Sequence, residues 1–220
     1  MPTVRGAPEA ICADFDGTLA ETRLDFGRMR QGVEALARGF GLRDGGPTPR
    51  YVLELIAHYA AELGEGSGAA ARFRGECLRH LEGIELAAAA VGRPYPGVAE
   101  AMAELQRRGI CLGVVTRNSR VGVEAFLRRH PLPCDALITR DDVIAVKPHP
   151  EHLRVALQAM GCGGDRALMV GDHPTDMQCA AAAGLAAVGV LTSGSGEAAL
   201  RAGGATLVIP SFGHLLDHLG

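Results

Sequence analysis

The chain is 220 residues long, 47% hydrophobic and 21% charged, with a formal net charge of -3. That composition excludes a disordered chain and suits one large domain or a core with a modest insertion, at roughly 100–200 residues per domain. Aromatic residues make up only 4%, without Trp, which disfavours a base-stacking nucleic-acid platform, and the slightly acidic balance offers no field for a phosphate backbone.

Ala10-Ile11-Cys12-Ala13 reads as a buried strand ending at Asp14. Phe26, Met29, Val33, Leu36 and Phe40 then recur at helical spacing, and the Gly-Pro-rich stretch Asp44 to Pro49 breaks that helix. A second helix carries Val52, Leu55, Ile56, Tyr59 and Leu63 and stops at Gly64-Glu65-Gly66-Ser67-Gly68. A third shows Phe73, Cys77, Leu81, Ile84, Ala88 and Val91 and stops before Gly92-Arg93-Pro94.

After Pro96-Gly97 the pattern alternates. Helices are expected at 98–108, 121–129, 151–160, 175–183 and 197–202, with a last one near 212–219. Strands fall between them at 110–115, 136–139, 167–170, 186–190 and 207–209. Continuous apolar strands separated by helices imply a doubly wound, mainly parallel α/β sheet covered on both faces. Residues 1–20 and 95–220 form that core, and 21–94 an inserted, all-helical cap.

The cysteines at 12, 77, 111, 134, 162 and 179 contain no C-x-x-C pair. Met1 to Pro8 is polar and Pro-broken, unlike a signal peptide, and no apolar run approaches the ~20 residues of a membrane span. A cytoplasmic protein with reduced cysteines is expected, with no membrane or nucleic-acid partner.

In such sheets ligands bind beyond the carboxyl ends of the strands. The first strand ends in Asp14-Phe15-Asp16-Gly17-Thr18, the second in Thr116-Arg117-Asn118, and the fourth in Gly171-Asp172-His173-Pro174-Thr175-Asp176. Lys147-Pro148 follows the third after a short loop. Any one fragment is common by chance; the ordered set, each at a strand tip, is specific.

In order and spacing these segments resemble the four motifs of the haloacid dehalogenase superfamily, mostly magnesium-dependent phosphohydrolases. The resemblance covers the whole chain and is nearest to the phosphoglycolate phosphatase group. It implies a Rossmann-like core, a Mg²⁺ cofactor and a small anionic phosphorylated substrate, in a monomer or homodimer. It also implies metal ligation by Asp14, Asp172 and the backbone carbonyl of Asp16.

The chemistry asks for the same residue types. A phosphomonoester brings two negative charges to a carboxylate-rich site, and a divalent cation offsets them. Asp14 then serves as nucleophile and Asp16 as acid and base toward the leaving oxygen and the incoming water. Thr116, Lys147 and Asn118 hold the phosphoryl group, with Arg117 beside them. Asp176, one turn beyond Asp172, orients metal-bound water or Lys147.

Among the cap arginines, Arg23 at the hinge is the candidate clamp for a substrate carboxylate. His149 and His152 are expected to mark a helix start between Pro148 and Pro150, and Ser119 to cap the helix after Thr116. His173 faces either the phosphate cleft or solvent.

Two further readings stay open: a sugar-phosphate mutase of the β-phosphoglucomutase type, and a non-catalytic phospho-receiver module. Dehalogenation is disfavoured, because a carbon–halogen bond needs no acid such as Asp16. Schiff-base phosphonate chemistry would need a cap lysine, and Lys147 is the only lysine in the chain.

Overall fold

The computed structural model describes residues 7–43 and 46–219. Most of the Met1 to Pro8 segment and the start of the expected Asp44 to Pro49 break lie outside the described residues. The chain divides into two compact units, Met1–Arg23 with Ala89–Gly220, and Leu24–Ala88.

The first unit is built on β1 (Ala10–Ala13), β4 (Cys111–Val115), β5 (Ala136–Ile138), β6 (Ala167–Gly171), β7 (Ala186–Val190) and β8 (Leu207–Ile209). They form one sheet in the order β5-β4-β1-β6-β7-β8, and every pairing is parallel. Side chains on a strand alternate between faces, so two cores form. Ile11 and Ala13 of β1 join one, with Met102 and Leu105 of α4 (Val98–Arg107) and Phe126 of α5 (Arg120–Arg129). Ala10 and Cys12 join the other, with Leu153 of α6 (Glu151–Met160) and Met177 of α7 (Pro174–Ala183). Leu200 of α8 (Gly196–Gly203) packs on that second face too. Burial on both faces is why these strands read as continuous apolar runs.

The second unit holds α1 (Phe26–Gly39), α2 (Val52–Glu62) and most of α3 (Gly68–Val91). Met29, Val33, Leu55, Tyr59, Phe73 and Leu81 form its core. Phe73 makes T-shaped contacts with Phe40 and Tyr59 at ring-centroid distances of 5.4 and 6.2 Å, a favoured aromatic geometry.

Three details depart from the sequence pattern. Helix α3 begins at Gly68, not near Phe73, because the Ser67 hydroxyl accepts from the Ala70 N–H at 3.1 Å and starts the helix within the glycine-rich stretch. The last helix is a 3₁₀ turn, Phe212–His218. Two short strands, β2 (Ala20–Glu21) and β3 (Arg93–Pro94), pair antiparallel where the chain leaves and re-enters the first unit. Two residues are too few for any periodicity to announce a strand.

Candidate active site

Register brings the first three side chains together. Ala13 pairs with Val114 on one side and Val170 on the other. Asp14, Thr116 and Asp172 therefore emerge within one residue of the same sheet level. The Asp14 N–H continues the ladder to the Val170 carbonyl at 2.9 Å. Thr116 does the same toward Ile138, at 3.0 Å.

Lys147 enters from the loop before α6 and is almost wholly buried. Its Nζ lies 2.6 Å from Asp14 Oδ1 and 2.8 Å from Asp176 Oδ1. Asp176 also accepts the His173 N–H on Oδ2 at 3.1 Å. That bond belongs to a capping box in which the His173 ring caps α7, a place Ser, Thr, Asp or Asn usually takes. His173 is thus a helix cap, and its ring nitrogen is engaged by the Thr175 N–H at 3.2 Å.

Asp16 is held at both oxygens. Oδ1 accepts from the Thr22 hydroxyl at 2.6 Å and Oδ2 from Asn118 Nδ2 at 2.9 Å. The Asn118 orientation is fixed by its other end, where Oδ1 accepts the Ser119 N–H at 2.8 Å. Thr116 Oγ1 accepts the Asn118 N–H at 3.1 Å, while Ser119 caps α5 as its position suggests.

Arg117 directs Nη1 to the Lys147 carbonyl at 2.8 Å. The structure does not bring Arg23 into this network: its side chain is 77% exposed and its guanidinium is bound to Glu21 at 2.7 Å. The sequence gives no site role to two hydroxyls, and it reads His152 only as part of a helix start, where it does lie. Thr18 donates to Asp172 Oδ1 at 3.0 Å, Thr22 meets Asp16, and His152 accepts the Lys147 N–H on Nδ1 at 3.1 Å. The signal available for His152 was that a buried loop N–H needs an acceptor.

Electrostatics explain why the cluster calls for a cation. Burial pushes the Asp14 carboxyl up to about 6 against the pull of Lys147, and the charge on Asp172 adds to the rise. Burial, then the charge on Asp176, pushes Asp172 up to about 6 as well. Burial would depress Lys147, but Asp14 and Asp176 outweigh it and hold the ammonium above its ordinary range.

One ammonium, in contact with Asp14 and Asp176, thus stands against three carboxylates, since ligand atoms of Asp14, Asp172 and Asp176 lie within 4.8 Å of one another. An all-oxygen donor set with excess negative charge suits a hard divalent ion. The backbone at Gly17 makes room for the Asp172 carboxylate: with φ +86°, a Cβ there would sit 2.4 Å from Asp172 Oδ2. Asp176 has both oxygens engaged by Lys147 and the α7 cap, so Asp14 and Asp172 are the better side-chain donors.

Comparison with known proteins agrees with this geometry. The family model for haloacid dehalogenase-like hydrolases matches residues 11–190. A phosphoglycolate phosphatase from Rhodospirillum rubrum is 31% identical across 97% of this chain and 91% of its own length. Pyrophosphatase PpaX from Bacillus cereus (strain AH820) is 40% identical over 49% of this chain and 51% of that protein, so that likeness spans about half of each. The crystal structure of CbbY from Rhodobacter sphaeroides, in complex with phosphate, aligns with a TM-score of 0.65 at 26% identity, over 96% of this chain and 99% of that one.

Proposed function

The chain belongs to the haloacid dehalogenase-like hydrolase family, and from that premise we propose that it is a Mg²⁺-dependent phosphatase of a small phosphorylated metabolite. 2-Phosphoglycolate is the first substrate to test. The observation that carries the reading is the buried Lys147 ammonium set between Asp14 and Asp176 at 2.6 and 2.8 Å, with Asp172 beside them. A fold has little structural use for an acid-rich cluster buried around one cation, since apolar residues of similar volume stabilise as well or better. It has a catalytic use. We assign the protein to the cytoplasm on its free cysteines.

Asp14 and Asp172, with the Asp16 carbonyl that the family resemblance implies, would hold Mg²⁺, which would supply charge neutralisation for the phosphate and the carboxylates. Asp14 attacks phosphorus in line. A bond forms from its oxygen to phosphorus as the bond to the leaving oxygen breaks, giving an aspartyl-phosphate. Lys147 and Thr116 hold the phosphoryl oxygens: Thr116 Oγ1 already accepts from the Asn118 N–H, so its own proton is the one to donate.

Asp16 protonates the leaving oxygen and then takes a proton from the water that releases phosphate. Its partners say where that proton resides. Asn118 Nδ2 can only donate, so Oδ2 stays unprotonated. The Thr22 hydroxyl can donate or accept, so Oδ1 is the atom that carries the proton.

The test is a panel of 2-phosphoglycolate, sugar phosphates and pyrophosphate with inorganic-phosphate detection, with Mg²⁺ or with chelator. Release that needs Mg²⁺ and vanishes in Asp14→Asn is expected. No release across the panel with Mg²⁺ present would overturn the phosphatase reading. Interconverted sugar phosphates without release would replace it with a mutase, and undiminished Asp14→Asn activity would end the covalent route.

A further inference from the structure

The backbone of Lys147 is anchored as firmly as its ammonium. His152, fully buried on the first turn of α6, accepts the Lys147 N–H on Nδ1 at 3.1 Å. Its Nε2 lies 3.3 Å from the Ile138 carbonyl, the same carbonyl that accepts the Thr116 N–H at 3.0 Å. Arg117, next to Thr116, holds the other end of the Lys147 peptide through Nη1 and the carbonyl oxygen at 2.8 Å.

We propose that His152 is a positioning residue: by accepting the Lys147 N–H on Nδ1 it fixes the Lys147 backbone, and so the ammonium, for phosphoryl transfer, while the contact of Nε2 with Ile138 orients the ring. The inference rests on the phosphatase reading above for what that placement serves. One protonation state satisfies both bonds: Nδ1 bare and accepting, Nε2 protonated and donating to Ile138. Burial, then the nearby Lys147 charge, holds the ring well below its usual range, at about 3, so the neutral form persists. A cationic ring would present a donor on each nitrogen and lose the Lys147 N–H.

The geometry matters because the reacting groups sit at the end of a long, flexible side chain. The ammonium of Lys147 is shared by Asp14 and Asp176. A shift of its Cα changes both contacts together, and small displacements in such a site are costly to rate. β5, which carries Ile138, is an edge strand of the sheet. His152 therefore ties a loop residue to the sheet rather than to another loop.

Two substitutions separate the ring nitrogens. His152→Asn keeps an acceptor at the Nδ1 position and loses the Ile138 bond. His152→Gln keeps a donor at the Nε2 position and loses the acceptor for Lys147. Because the chain has one lysine, labelling lysine at Cε and Nζ gives a single side-chain resonance that reports the ammonium environment without any turnover.

In His152→Gln, kcat should fall about tenfold or more with KM within about threefold, and the lysine resonance should move. In His152→Asn, kcat should stay within about threefold and the resonance should hold its place, at a comparable loss of thermal stability. A native-like resonance and kcat in a folded His152→Gln protein would overturn the proposal, as would equal losses of both in the two variants. If His152→Gln does not fold, a displaced resonance in His152→Asn overturns it and an unmoved one supports it. A native chain without phosphatase activity would remove the functional premise alone, because the resonance is read independently.

Discussion

Lys147 Nζ lies 2.6 Å from Asp14 Oδ1 although 133 positions separate the two residues. The contact joins the tip of the central strand to a loop two strands later. In Lys147→Gln, the transferring phosphoryl group loses its fixed cation, and turnover should fall about 10²- to 10³-fold. Stability should fall too, by about 1–3 kcal/mol at pH 7.5 in the metal-free protein, because two buried carboxylates lose their partner. At pH 5 the loss should be smaller, since carboxyls whose pKa is already raised take up protons. Denaturant titrations at the two pH values decide it: equal losses would mean that Lys147 does not offset these charges.

Asp16 accepts from Thr22 and Asn118 at once, the arrangement of a carboxyl held for proton transfer. Asp16→Asn should lower turnover on an alkyl phosphate by about 10²- to 10⁴-fold. For an aryl phosphate with an acidic leaving group the loss should be at least about tenfold smaller, because that oxygen departs without a proton. Rates of phosphate release on the two substrates test this. An equal loss on both would assign Asp16 to binding instead of acid catalysis.

The legibility of this fold follows from which contacts are periodic. β1, β7 and β8 end where the apolar runs end, because strands buried on both faces leave uninterrupted runs bounded by polar tips. Asp14, Thr116 and Asp172 are legible in the sequence as strand-tip residues because a parallel sheet delivers its strand ends to one edge, and Lys147, on a loop, only through the order and spacing of the motifs. Thr18 and Thr22 carry no local mark because a hydroxyl after a strand tip has ordinary uses, and His152 reads correctly as part of a helix start while its bond from the Lys147 N–H depends on tertiary placement. The short β2–β3 pair was missed for the same reason: Glu21 meets Arg93 across 72 positions, and nothing local marks it. For His173 the sequence leaves cleft and solvent open, and the hydrogen bonds of its ring make it a helix cap.

Gly17 separates a backbone requirement from a steric one. It has φ +86°, and a Cβ there would lie 2.4 Å from Asp172 Oδ2, whereas Gly41, at φ +84°, has nothing within 4 Å of the same position. Gly41→Ala meets only the left-handed backbone penalty of about 1–2 kcal/mol. Gly17→Ala meets that penalty and also displaces Asp172, so its destabilisation should be larger and Mg²⁺ should raise its Tm less than it raises that of the native protein. Thermal melts of the two variants with and without Mg²⁺ check this. A full Mg²⁺ response in Gly17→Ala would show that Asp172 does not need this close approach.

The raised carboxyls give the metal-free protein a pH signature of known sign. Asp14 and Asp172 ordinarily titrate near 3.8 but near 6 in the fold. Between those values the folded chain holds protons that the unfolded chain has released. Stability from these two groups is therefore complete below about 4 and is lost as pH rises through about 6. Other carboxyls slope the opposite way: Glu104, hydrogen-bonded by Arg107 and Arg108, is held down at about 2. The informative quantity is thus the difference between native and Asp172→Asn curves, in which shared groups cancel. Asp172→Asn should leave stability little changed near pH 4 and raise it by on the order of 1–3 kcal/mol at pH 7 without metal. It should also lose most of the Tm increase that Mg²⁺ confers on the native protein, an increase that itself grows with pH as the carboxylates ionise. Calorimetry from pH 4 to 8, with chelator and with Mg²⁺, measures both. A metal-free Asp172→Asn protein less stable than native at pH 7 would mean that Asp172 contributes more through its bond from Thr18 than its buried charge costs.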